Sequence, residues 1–135
     1  MSISQSLRNR AVVVEKYVTL AGTSGTTVGP AVPANTIVLA AGVETLAAVP
    51  TVTTYTVAAT DGSTTFMAAT SINGAAINTV KAGLTAGFIA AADTVDALTV
   101  ISGTPGTIAA RIWAVVIDVN DSVMQGASAK RDVLA

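Results

Sequence analysis

The stretch Arg111–Asp121, RIWAVVIDVND, decides how the chain is read. Successive residues of a β-strand point to opposite faces. On that spacing Ile112, Ala114 and Val116 fall on one side, and Trp113, Val115, Ile117 and Val119 on the other. Both sides are apolar. One side fits the core of the strand's own domain, and the other needs a second cover. Asp118, Asn120 and Asp121 then close the run with residues that favour turns.

The composition carries the same message. The chain has 135 residues, enough for one domain with a core. It is 51% hydrophobic but only 4% aromatic and 11% charged. Soluble domains are about 25% charged. Most of the apolar residues are Ala and Val, so each buries little area. A thin core and a weakly charged surface together point to an oligomer or a component of an assembly.

The formal net charge of -1 provides no field for nucleic acid or an anionic membrane, and neither is expected as a partner. Cys is absent, so no disulfide or thiol chemistry arises. MSISQSLRNR, residues 1–10, is polar and no signal-type apolar segment follows it. Polar residues and prolines interrupt each apolar run before it reaches membrane-spanning length.

Outward from Arg111, the chain reads as short β runs divided by turns. AVVVEKYVTL (Ala11–Leu20) is a β-branched strand, and the Gly-, Thr- and Pro-rich stretch Ala21–Asn35 reads as loop. Thr36–Pro50 is ambiguous between strand and helix; its opening favours a strand, with Gly42 marking a bulge or bend. In Thr51–Ala69, two Thr-rich runs flank Asp61-Gly62, a tight hairpin signal. Asn73-Gly74 is another turn signal, a strand is expected near Thr94–Ser102, and GTPG (Gly103–Gly106) turns the chain into the final strand. About eight short runs of this kind predict an all-β fold, a β-sandwich or jelly roll. The predicted organisation is an N-terminal arm over 1–10, a β-sandwich domain over 11–121 and a C-terminal tail over 122–135.

Catalysis finds little to work with. Without His the usual general base and the usual triads are missing, and without Cys the usual zinc ligands are missing too. The near carboxylate pairs are Asp93 with Asp96 and Asp118 with Asp121. Strand positions three apart point to opposite faces, so neither pair converges without a turn. An enzyme is therefore not expected, and no cofactor or catalytic metal is expected. Asp118, Asn120 and Asp121 offer hard oxygen ligands for calcium but match no ligand loop. Gly22–Gly29, GTSGTTVG, lacks the lysine of a phosphate-binding loop. Asn120–Ser122 matches a glycosylation sequon, a frequent match with no secretion signal beside it.

The candidate functional residues are interface residues. Arg8 and Arg10 in the arm, and Lys130 and Arg131 in the tail, suit segments that order against a neighbouring subunit. Trp113, with Val115 and Ile117 beside it, suits an interface anchor on the doubly apolar strand. The remaining aromatics, Tyr17, Tyr55, Phe66 and Phe88, are expected mostly in the core.

Three segments also carry a resemblance. VPANTIVLAAGVETL (Val32–Leu46) is a Pro-Ala turn leading into an apolar strand. YTVAATDGSTTFMAATSI (Tyr55–Ile72) is a Thr-rich hairpin about Asp-Gly. FIAAADTVDALTVISGTPGTIAARIWAVVIDVND (Phe88–Asp121) joins an Ala-Ala-Asp-Thr-Val lead-in, a Gly turn and an Arg-hydrophobe-Trp final strand. In this order they resemble small β-sandwich structural proteins of tailed-phage virions, the capsid cement or decoration type. The resemblance covers roughly residues 32–119 and leaves both ends unmatched. It implies a non-catalytic protein on the capsid surface of the virion, a homotrimer that binds the major capsid protein and bridges capsomers. It also leaves open a tail, neck or head-fibre component. A carbohydrate-binding β-sandwich is a third reading, with few aromatics available to build a sugar platform.

Overall fold

The computed structural model describes residues 11–119. Eleven strands lie among them: β1 (Val12–Leu20), β2 (Gly25–Thr27), β3 (Ala31–Val32), β4 (Thr36–Thr45), β5 (Thr54–Thr60), β6 (Thr65–Ser71), β7 (Val80–Gly83), β8 (Gly87–Ile89), β9 (Asp93–Thr94), β10 (Asp96–Ser102) and β11 (Ile108–Asp118). The predicted terminal arm and tail, with Arg8, Arg10, Lys130 and Arg131, lie outside the described residues.

The pairing is nested. β1 pairs with β11, β2 with β10, β3 with β9, β4 with β8, and β5 with β6, all antiparallel. The chain is thus one long two-stranded ribbon whose tip is the β5–β6 turn. Rolling that ribbon brings β4 beside β11 and β5 beside β10, and β7 adds to β4. The result is a five-stranded sheet of order β1-β11-β4-β7 with β8 also on β4, and a four-stranded sheet of order β2-β10-β5-β6. Rolled ribbons of this order are jelly rolls.

The ribbon tip is built locally. Thr60 pairs with Thr65, so residues 61–64 form the loop, two residues longer than the tightest hairpin. Asp61 Oδ1 accepts the backbone N–H groups of Ser63 (2.9 Å) and Thr64 (2.6 Å) and the Ser63 hydroxyl (3.1 Å). Gly62 has a φ of 95°, which only glycine takes without strain.

The core lies between the two sheets. Ile108, Ala110, Ile112, Ala114 and Val116 of β11 face Tyr55, Val57 and Ala59 of β5 and Phe66 and Met67 of β6 in one cluster. This settles the first face of the Arg111–Asp121 stretch, since Ile112, Ala114 and Val116 are all nearly inaccessible.

Three expectations are corrected. Ala21–Asn35 is not all loop, because β2 and β3 form within it, held by their nested partners β10 and β9. Ser24 anchors this segment: its hydroxyl donates to the Ile101 carbonyl (3.2 Å) and accepts the Ile101 N–H (2.8 Å). The β4 bulge falls at Leu39, left without a partner between Val38 and Ala40, and not at Gly42. Gly42 stays in register, and a Cβ there would lie 2.1 Å from the Lys81 carbonyl oxygen and 2.6 Å from the Trp113 ring. The aromatics are not mostly core: Tyr55 and Phe66 are, but Tyr17 and Phe88 are exposed and Trp113 is half-buried.

Candidate interaction surface

The outward face of the five-stranded sheet is where the second side of the Arg111–Asp121 stretch goes. Directly paired residues in a ladder share a face, so the register identifies its members. Around Trp113, Val115 and Ile117 lie Val13 and Tyr17 of β1, Ile37 and Ala40 of β4, Val80 and Ala82 of β7, and Phe88 of β8. Tyr17 is 66% exposed, Val13 59%, Phe88 54% and Val80 53%. Trp113 sits near the centre, its ring lying over the space that Gly42 leaves. Its Nε1 is buried with no acceptor among the described residues. The structure therefore brings Trp113, Val115 and Ile117 together on one face, as their spacing predicts, and adds the β1, β7 and β8 residues. Those were invisible to spacing alone, because they join the face only through register.

One ion cluster crosses this face. Arg111 donates from Nε to Glu44 on β4 (2.9 Å) and from a terminal guanidinium nitrogen to Glu15 on β1 (2.6 Å). Partial burial works against the guanidinium charge, but the two carboxylates outweigh it and raise the Arg111 pKa. One cation between two carboxylates leaves the cluster with one negative charge in excess. Glu15 is the more exposed of the two acids.

The other sheet presents a different outer face. Thr54, Thr56 and Thr60 of β5 lie there with Thr26 of β2, and Leu98 and Val100 of β10 are its exposed large apolar residues. Small hydroxyl side chains share this face with Leu98 and Val100, while aromatic rings join the branched chains on the first.

Asp93 and Asp96 take different partners. Asp93 accepts its neighbour's Thr94 N–H (2.8 Å), while Asp96 accepts the Gly29 N–H (3.1 Å) from another strand connection. Asp118 ends β11, and Asn120 and Asp121 lie outside the described residues. Among the described residues no group of three or more His, Cys, Asp or Glu converges. The GTSGTTVG segment pairs through Gly25–Thr27 with β10, its Ser24 hydroxyl bonds the Ile101 backbone, and its Gly29 N–H donates to Asp96.

No protein-family model matches the chain, and no curated protein sequence matches it. Two solved structures share its fold. A chain of the cyanophage Pam1 capsid asymmetric unit aligns with a TM-score of 0.64 at 16% identity, over 79% of this chain and 84% of that one. A chain of the acid-stable capsid of the Helicobacter pylori bacteriophage KHP30 aligns with a TM-score of 0.53 at 13% identity, over 79% of this chain and 90% of that one. The all-β fold predicted from about eight short runs, a β-sandwich or jelly roll, is thus one shared with chains of two phage capsids.

Proposed function

We propose that this chain is a structural protein of a bacteriophage virion, a capsid cement or decoration protein on the capsid surface. The observation that carries the reading is the apolar outer face of the β1–β11–β4 sheet, on a jelly roll whose fold recurs in two phage capsid structures. A lone domain in water gains nothing from a face with Tyr17, Phe88, Val13 and Val80 uncovered. In a homotrimer seated on the major capsid protein, that face has sister subunits and shell to cover it. Cementing is then distributed binding, in which many copies each add interface area across a joint between capsomers.

The test is to mix the purified chain with phage capsids that lack it and to image them by electron microscopy. Density at many equivalent positions over the shell is the expected result. Density confined to one vertex assigns the chain to the tail, neck or a head fibre. No density on any particle overturns the virion reading. Deleting residues 1–10 is expected to weaken attachment more than it lowers the melting temperature of the domain, and equal losses overturn the role of the arm.

A further inference from the structure

The β1 strand is under-used on three sides. Among the described residues it pairs only with β11, so its far edge offers unpaired backbone groups along nine residues. Its inward residues reach past the short β2, leaving Val12 at 48% exposure and Lys16 exposed. Its outward residues Val13 and Tyr17 are exposed as well. Exposed edges of this length attract another strand.

The centre of β1 limits what that strand is. Glu15 points outward and Lys16 inward. Two copies of β1 paired antiparallel about a two-fold axis, with their faces matched, set Glu15 against Glu15 or Lys16 against Lys16 when centred there. Like charges directly opposite are destabilising. A partner for this edge needs a cation opposite Glu15 and an anion opposite Lys16. The Arg111 cluster has one negative charge in excess and Glu15 is its more exposed acid, and among the described residues Lys16 pairs with no carboxylate.

The chain itself contains such a strand. Laid parallel to β1, residues 128–135 place Arg131 opposite Glu15 and Asp132 opposite Lys16. In the same register Val133 meets Tyr17 and Leu134 meets Val18. Antiparallel registers match one charge at best, and the one that joins Arg131 to Glu15 sets Lys130 against Lys16. The path is long enough. Val119 ends the described chain beside the start of β1, since Val12 pairs with Val116. Residues 120–127 extend to roughly 26 Å, several times the spacing between neighbouring strands.

Resting on the reading that copies of this chain assemble, we propose that residues 128–135 of one copy add as a parallel strand to the free edge of β1 in the next. Within one copy the connection would cross the point where Ala11 joins β1, and connections rarely cross at a sheet edge. A parallel addition requires neighbours that point the same way, as they do in a closed ring. Arg131 then neutralises the Glu15 side of the Arg111 cluster, and Leu134 covers the open inner side beside Val18.

Charge exchange at Lys16 and Asp132 tests this in the full chain, because Lys16 makes no ion pair among the described residues. Sedimentation velocity is run on Lys16→Glu alone, Asp132→Lys alone, and an equimolar mixture. Each variant alone is expected to associate about tenfold or more weakly than the wild type. The mixture is expected to recover part of the association, because in a mixed ring of three two edges meet a complementary tail and one does not. Lys81→Glu, on the opposite edge, is expected to leave association unchanged. Variants that associate like the wild type overturn the proposal, as does a wild type that stays monomeric. Rescue by the double variant but not by mixing overturns it in favour of pairing within one copy. Particle binding is scored beside it. Capsids bound by a chain whose association ignores these charges defeat the strand addition and leave the virion reading standing. An associated chain that obeys the charges but binds no particle does the reverse.

Discussion

The two long edges of the sandwich are finished in opposite ways. At the β7 edge the sheets touch through backbone. Gly83 lies so close to β6 that a Cβ there would sit 2.4 Å from Met67 Cα, and the Thr85 N–H donates to the Phe66 carbonyl (3.3 Å). At the β1 edge the sheets part. Strand β2 covers only three residues of the second sheet, while β1 runs for nine. Leu20 alone is buried on β1. The closed edge is sealed within the chain by removing a side chain. The open edge keeps its side chains and its free backbone groups. This teaches that exposed apolar side chains have two settings: at β1 they flank a free backbone edge, while Val80 and Leu84 at the β7 edge stand beside strands already in backbone contact.

The largest expected effect breaks the closed edge. Gly83→Ala forces a methyl group against backbone that cannot rotate away, and is expected to cost about 2–4 kcal/mol of folding stability. Denaturation in urea measures it. Ile112→Ala, on the buried side of the final strand, is expected to cost about 3 kcal/mol by leaving a cavity. A Gly83→Ala chain as stable as the wild type would show that β7 and β6 do not need their close approach.

The open edge is expected to answer differently. Tyr17→Ser changes a side chain that is 66% exposed, so folding stability is expected to move by no more than about 0.5 kcal/mol. Association is expected to weaken about tenfold, since aromatic side chains dominate interface energetics. Stability and association are thus separable at β1, while Gly83→Ala at β7 is expected to act on stability. Sedimentation and urea denaturation of the same variant read both quantities. A Tyr17→Ser chain that loses folding stability and keeps its association would reverse the assignment of the two edges.

How much of this was legible in the sequence depends on how local each cause is. Asp61-Gly62 was readable as a turn because the side chain and the glycine that make it are neighbours. The two-sided apolar pattern of Arg111–Asp121 was readable because strand alternation is local too. The strands β2 and β3 were not, since Gly-Thr-Thr and Ala-Val have no alternation to read and become strands only through β10 and β9. The outward face was readable at Trp113, Val115 and Ile117, and unreadable at Val80 and Phe88. Their place depends on register with β4, which the Leu39 bulge divides between β7 and β8. Gly42 was recognised as special but for the wrong reason. A close approach by Lys81 and Trp113 leaves no mark in its neighbours along the chain.

A smaller effect sharpens the comparison at the seam between the edges. Arg111 ties β11 to Glu15 on the open side and to Glu44 on the side toward β7. Replacing it with Met keeps the stem and leaves two carboxylates facing each other. With the cluster partly exposed and screened by solvent, the expected cost is about 1 kcal/mol, falling as salt is added. Measuring stability at low and high ionic strength tests this, and a cost that salt does not change would locate the effect in packing.

The smallest effect belongs to the ribbon tip, and its sign follows from the Asp61 hydrogen bonds. Partial burial acts to raise the pKa of that carboxyl. The hydrogen bonds from Thr64 and Ser63 outweigh burial, and the net direction is down. A carboxylate depressed in the folded state stabilises fully above its unfolded pKa, near 3.9, and loses that contribution as pH falls through its lower folded value. Asp61→Asn keeps an oxygen acceptor but cannot ionise. It is expected to cost less than about 1 kcal/mol at neutral pH, because the loop is largely open to solvent. In acid below the folded value, the charge-dependent part of that difference is expected to vanish. Urea denaturation of both chains between neutral pH and strong acid measures the gap. A gap that widens in acid would mean that the tip is held by something other than the ionised carboxylate.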